Sequence, residues 1–115
     1  MKIITHIASR ADWEAAQERG SYVAESLHTE GFIHCSTPPQ VLRVAQMWFA
    51  GVGDLCLLTI DVVQLQAPLK YEPAAHGGKG LFPHLYGPLN LNAVLRVDPF
   101  EAGDDGQFHL PDHLL

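Results

Sequence analysis

Positive charge is scarce in this chain: 7 of its 115 residues are Lys or Arg, and they are scattered. A nucleic-acid groove needs clustered cations to displace phosphate counterions, so no nucleic-acid partner is expected. The formal net charge is -6, but a few well-placed donors would still hold one small anionic ligand. Cysteine is thin too. Cys35 and Cys56 are the two present, each inside an apolar run (FIHCS and LCLLTI) where reduced, packed thiols usually lie. No apolar run reaches the roughly 18 residues of a membrane span, and no leader of charged then apolar residues opens the chain. These absences lead us to expect a cytoplasmic protein with no membrane partner and a monomeric state. Cys-x2-Cys spacing is missing as well, and no residue is assigned to a metal.

The length fits one domain, residues 1–115, and the 47% hydrophobic content supplies a core. Lys2–Ala8 alternates and is rich in β-branched residues, which predicts a strand with His6 on the face of Ile4 and Ala8. Ser9 or Asp12 then caps a helix that runs to Arg19 and stops at Gly20, with Trp13 and Ala16 toward the core. Ser21–Glu30 reads as polar and irregular. FIHCS reads as a short strand with Phe32, His34 and Ser36 on one face and Cys35 on the other. Thr37-Pro38-Pro39 is a helix start, and Val41, Val44, Ala45, Trp48 and Phe49 repeat at helical spacing through Ala50. Leu55–Val62 is apolar throughout, as in a strand covered on both sides. Pro68–Glu72 reads as a short strand, Pro73–Pro83 as a glycine-rich loop, and Ala93–Val97 as a last strand. The pattern predicts an α+β fold: a mixed, mostly antiparallel sheet of roughly five or six strands with two main helices.

Histidine is the abundant chemical group, with 7 residues. His34-Cys35-Ser36 and His84-Leu85-Tyr86 each place an imidazole and a hydroxyl two apart, on one face of an extended chain. Such a pair can hold a phosphate or sugar oxygen, orient water, or act as general base toward the hydroxyl. His34 and His84 are therefore candidate catalytic residues, joined by Glu72 as an acid/base group at the edge of the loop. His6, Ser36, Tyr86 and Thr37 are candidate ligand-binding residues. Each His has a bland alternative, in which it is half-buried and bonds a nearby carbonyl. Three imidazoles on neighbouring strands could also hold zinc, which keeps a metal-dependent hydrolase open as a second reading. A partner-binding module without chemistry is the third. His76-Gly-Gly-Lys79-Gly80 has the composition of a phosphate loop but lacks GxxxxGK[ST], and reads as a loop beside a pocket. His109 and His113 read as part of a solvated tail.

Longer motifs carry a resemblance. T-H-I near the start, W-x-x-A, YVAESLHTEGFIHCSTPPQV, LLTID, FPHLYGPLN and a late D-G-x-F together resemble the bacterial family called domain of unknown function 952, over nearly the whole chain. At greater distance that family is similar to the ADP-ribosyltransferase fold. The resemblance implies a split sheet with a nicotinamide-dinucleotide cleft between its halves, a small-molecule ligand of nucleotide or ADP-ribosyl type, and possible transferase activity with NAD as substrate. An early-strand polar role would fall to His6, and the next-strand role to His34 or Ser36. Glu72 is the nearest counterpart of the Glu that promotes transfer.

Overall fold

The computed structural model describes residues 2–74 and 79–115. Along the chain the elements are β1 (Ile3–Ser9), α1 (Arg10–Arg19), β2 (Ser21–Tyr22), α2 (Glu25–Thr29), β3 (Ile33–His34), α3 (Pro38–Trp48), β4 (Leu55–Asp61), β5 (Leu69–Pro73), β6 (Leu81–Leu85), β7 (Leu89–Asn90) and β8 (Val94–Pro99). Short 3-10 turns lie at Val62–Gln64, Leu91–Ala93 and Asp112–Leu114. The fold is α+β, and the described strand pairings are all antiparallel. Two three-stranded sheets, β1-β4-β8 and β3-β6-β5, stand beside a small β2-β7 ribbon.

β4 is the spine, and all seven of its residues are buried. Its side chains alternate between two apolar layers. Cys56, Leu58 and Ile60 join Ile4, Ala16, Ile33 and Leu85, while Leu55 and Leu57 join Ile7, Val41, Ala45 and Phe100. Burial on both faces explains why its sequence shows no polar alternation. α1 begins where Ser9 Oγ accepts from the Asp12 N–H at 3.1 Å. It stops at Gly20, whose left-handed φ of 93° costs little without a Cβ. α3 starts at Pro38 behind Thr37. The Thr37 N–H donates to Gln40 Oε1 at 2.9 Å, and the Gln40 amide donates to the Leu81 carbonyl at 2.8 Å, which ties the helix to the start of β6.

The sheets divide at a proline. Ile33 faces Leu85 and His34 faces His84 across β3 and β6. At the next pair the Cys35 N–H donates to the Pro83 carbonyl at 3.0 Å. Pro83 has no N–H to return the bond, so the ladder ends there. The chain turns to the other sheet within one residue: Ser36 and Thr5 exchange backbone bonds of 2.9 and 2.7 Å. This antiparallel bridge between Thr5 and Ser36 joins β1 to the chain just past β3.

Several expectations need correction. Ser21–Glu30 is not irregular: it holds β2 and α2. α2 buries none of its residues, so it has no apolar stripe to betray it. The loop read over Pro73–Pro83 is too long, because β6 begins at Leu81; residues 75–78 lie outside the described residues. α3 ends at Trp48, two residues early. His113 is not a solvated tail residue. Its Nε2 lies 3.1 Å from Thr59 Oγ1, while Phe108 packs on Phe100 with centroids 5.0 Å apart. His109 does stay open, near Asp105. The two are His-x3-His in spacing, but Pro111 between them precludes the helix that spacing serves.

Candidate functional site

Alternation gives the β3-β6-β5 sheet two unlike faces. Ile33, Leu85 and Pro83 point into the core. Phe32 and His34 on the first strand, Phe82, His84 and Tyr86 on the second, and Lys70 and Glu72 on the third share the other face. Because Ile33–Leu85 and Cys35–Pro83 are the hydrogen-bonded positions, His34–His84 is the close kind of cross-strand pair. Their ring centroids are 5.7 Å apart in a T-shaped contact.

Each imidazole on this face has a carboxylate. His34 Nε2 donates to Glu30 Oε2 at 3.0 Å. His84 Nδ1 donates to Glu72 Oε1 at 2.9 Å, and the Tyr86 hydroxyl donates to the same oxygen at 2.5 Å. These two donors, Tyr86 first and His84 second, hold the Glu72 carboxyl below its ordinary range. Glu72 in turn pushes the Tyr86 phenol above its ordinary 10. Lys70 Nζ lies 5.0 Å from the centre of the Tyr86 ring, a cation on an aromatic face.

His6 lies elsewhere, on β1. Nδ1 donates to the His34 carbonyl at 2.6 Å, and Nε2 accepts from the Tyr22 hydroxyl at 2.8 Å. With both nitrogens engaged and the ring buried, desolvation pushes its pKa down to about 4. Ser36 is buried at the seam, where Thr5 Oγ1 also donates to its carbonyl at 2.9 Å. Thr37 sits at the mouth of α3. The structure thus gathers His34, His84, Glu72 and Tyr86 on one face; His6 stands apart on β1, and Ser36 and Thr37 follow β3 toward α3. Sequence reading placed Phe32 on the face of His34 without giving it a role, and missed Glu30 and Tyr22 as members of these networks. The signal for Glu30 was available: it stands four residues before His34, and a tight turn through Gly31 (φ 91°) brings it back.

Among the described residues, no group of three His, Cys, Asp or Glu side chains could hold a metal ion. The thiols are free and buried, and desolvation pushes Cys35 up to about 12. No described helix is long and apolar enough to cross a membrane.

Fold and site together define an α+β domain of divided antiparallel sheets that carries a carboxylate-oriented histidine on one sheet face. A family model described as "Protein of unknown function (DUF952)" matches residues 7–97, and the chain belongs to that family. It is also similar to protein CC0527 from Caulobacter crescentus. The crystal structure of that protein is 37% identical, with a TM-score of 0.86 over 97% of each chain. Its solution NMR structure is 37% identical, with a TM-score of 0.81 over 98% of this chain and 97% of that one. No curated protein matches the chain.

Proposed function

We propose that the chain binds a small nucleotide-type ligand of the ADP-ribosyl class on the polar face of the β3-β6-β5 sheet, with His84 as general base in a transferase-like reaction. The observation that carries this reading is the doubly bonded oxygen of Glu72. A carboxylate on Nδ1 fixes the tautomer, leaves the lone pair on Nε2, and stabilises the imidazolium formed when Nε2 takes a proton. Neither bond uses Glu72 Oε2, which suits it to accept from a ligand hydroxyl such as those of a ribose. His34 adds an imidazole at the rim. His6, Ser36 and Thr37 act behind the face as positioning residues, since they fix the strand that carries His34. The ADP-ribosyl class is taken from the family resemblance of the sequence motifs, and the division into two three-stranded sheets is of the kind that resemblance implies. NAD is therefore the first substrate to test.

The test is a thermal-shift screen with NAD, ADP-ribose and cyclic nucleotides. A ligand at about 100 times its Kd adds about 2.7 kcal/mol, a rise in Tm of roughly 10 °C for a domain of this size. Glu72→Gln and His84→Asn should fold and lose the rise. Flat melting curves with every ligand, or a Glu72→Gln protein that responds like the wild type, would sink the reading.

A further inference from the structure

His84 is the most enclosed polar group on its face. Its side chain is 4% exposed, against 35% for Glu72 and 39% for His34. The cover is Phe32. Its ring stacks on the imidazole with centroids 4.1 Å apart and planes 20° from parallel. It also meets the edge of His34 at 4.8 Å and tilts against Tyr86 at 5.4 Å. With Phe32 over its face, the imidazole is only 4% exposed, and a ligand has little of the ring to meet until that cover moves.

The attachment of Phe32 allows this. The residue is half-buried, whereas its neighbour Ile33 is fully buried in the core. On its other side is Gly31, at φ 91° with nothing near its missing Cβ. The Phe32 backbone is fastened by Ser26 Oγ, which donates to its carbonyl at 2.8 Å. That bond holds the main chain and leaves the phenyl group to its rotamers. A turn of the ring about χ1 would bare the face of His84 and would ask no change of register in β3.

We infer that Phe32 is a plug that occupies the stacking face of His84 until a ligand takes its place, and that the ligand carries a planar aromatic ring. This rests on the reading of His84 as the reactive group. The chemistry is an exchange of like for like. Uncovering the imidazole forfeits a ring-on-ring stack, and only a second flat ring restores it. A ribose phosphate alone would leave the stack unreplaced. A ligand without a base or a nicotinamide ring therefore leaves Phe32 in place, and only a ring-bearing ligand competes with Phe32 for the imidazole.

The experiment has two parts. First, wild type, Phe32→Leu and Phe32→Ala are treated with diethyl pyrocarbonate, and carbethoxylation is followed at each histidine by peptide mass spectrometry. Exposed His28 and sealed His6 serve as internal references. Phe32→Leu keeps apolar volume without a flat ring and guards against a folding defect in the alanine variant. His84 should react about three- to tenfold faster in both variants, the factor that corresponds to losing one aromatic stack, while His6 stays inert. Second, adenosine monophosphate and ribose 5-phosphate are titrated into wild type and Phe32→Leu. The first should bind the variant more tightly by a similar factor, and the second should bind both equally. Unchanged His84 reactivity overturns the plug without reference to any ligand. Faster His84 with weaker adenosine monophosphate binding also overturns it, because Phe32 would then be a platform that the ligand needs. Faster His84 with no binding of either probe supports the plug, and overturns both the aromatic-ligand assignment and the functional reading on which it rests.

Discussion

Lowering the pH from 7 to 5 should cost this protein about 2 kcal/mol through His6 alone. His6 is buried, and its neutral ring donates from Nδ1 to the His34 carbonyl and accepts at Nε2 from Tyr22. A proton on Nε2 would turn the Tyr22 hydroxyl from donor to acceptor and leave a charge without water around it. Desolvation therefore lowers the folded pKa from 6.5 to about 4, against the smaller opposing effect of the bond to His34. The sign follows. The unfolded chain takes up the proton first, so this group's share of stability is whole above about pH 6.5, falls as the pH drops toward about 4, and is flat below. The assay is urea unfolding, followed by the fluorescence of Trp13 and Trp48, at pH 7 and pH 5. His6→Gln keeps a donor and an acceptor but cannot titrate. It should be less stable at pH 7 by about 1–3 kcal/mol, because the two buried bonds are re-made imperfectly. Between pH 7 and 5 the wild type should lose about 2 kcal/mol more than the variant does. Other titrating groups cancel in that difference. Equal losses would mean that His6 takes up its proton in the folded protein at an ordinary pH, and would refute the sealed arrangement of β1, β3 and Tyr22.

Three further outcomes follow from the same geometry. Glu72→Gln should bring the Tyr86 phenol back toward its ordinary 10, since Glu72 is what raises it; ultraviolet titration reads this, and an unmoved Tyr86 would disprove the shared-oxygen contact. Neither thiol should react with Ellman's reagent in the native state and both should react in denaturant, because Cys35 and Cys56 are buried and free; fast native labelling would contradict the packing of β3 and β4. Leu58→Ala should cost about 2–5 kcal/mol in a denaturation experiment, because Leu58 is fully buried at the centre of the spine; a loss below about 1 kcal/mol would mean that β4 is not the core strand.

What could be read from the sequence was whatever a local rule dictates. β1, α1, α3 and β4 show themselves through period, caps and an unbroken apolar run, and their boundaries hold to within two residues. The placement of His34 opposite Cys35 follows from alternation alone. α2 and β6 were hidden for opposite reasons. α2 has no buried stripe, and β6 contains Pro83 and follows a glycine cluster, both of which argue locally against a strand. Tertiary pairing overrides them, since β6 is the middle strand between β3 and β5. The union of His84, Glu72 and Tyr86 was legible only in part. His84 and Tyr86 share a face by spacing, but Glu72 joins them through a cross-strand register that opposes it to Phe82. The different situation of His6 was not legible at all, because nothing near it in sequence announces Tyr22 sixteen residues away.

The proline that ends the β3 ladder has a consequence for the mechanics of the molecule. His34 belongs to one sheet and Ser36 to the other, so Cys35 alone spans the junction, like the pin of a hinge. Its two backbone torsions are the shortest covalent route by which a twist of the β1-β4-β8 sheet reaches the strand that holds His34. The number of residues in this crossing is therefore fixed more strictly than their identity. One added residue between His34 and Ser36 would either reverse the facing of the imidazole or pull Ser36 off Thr5, because side chains alternate with every step of an extended chain. The junction is a measured length of backbone, and the chemistry on the sheet face depends on that length staying as it is.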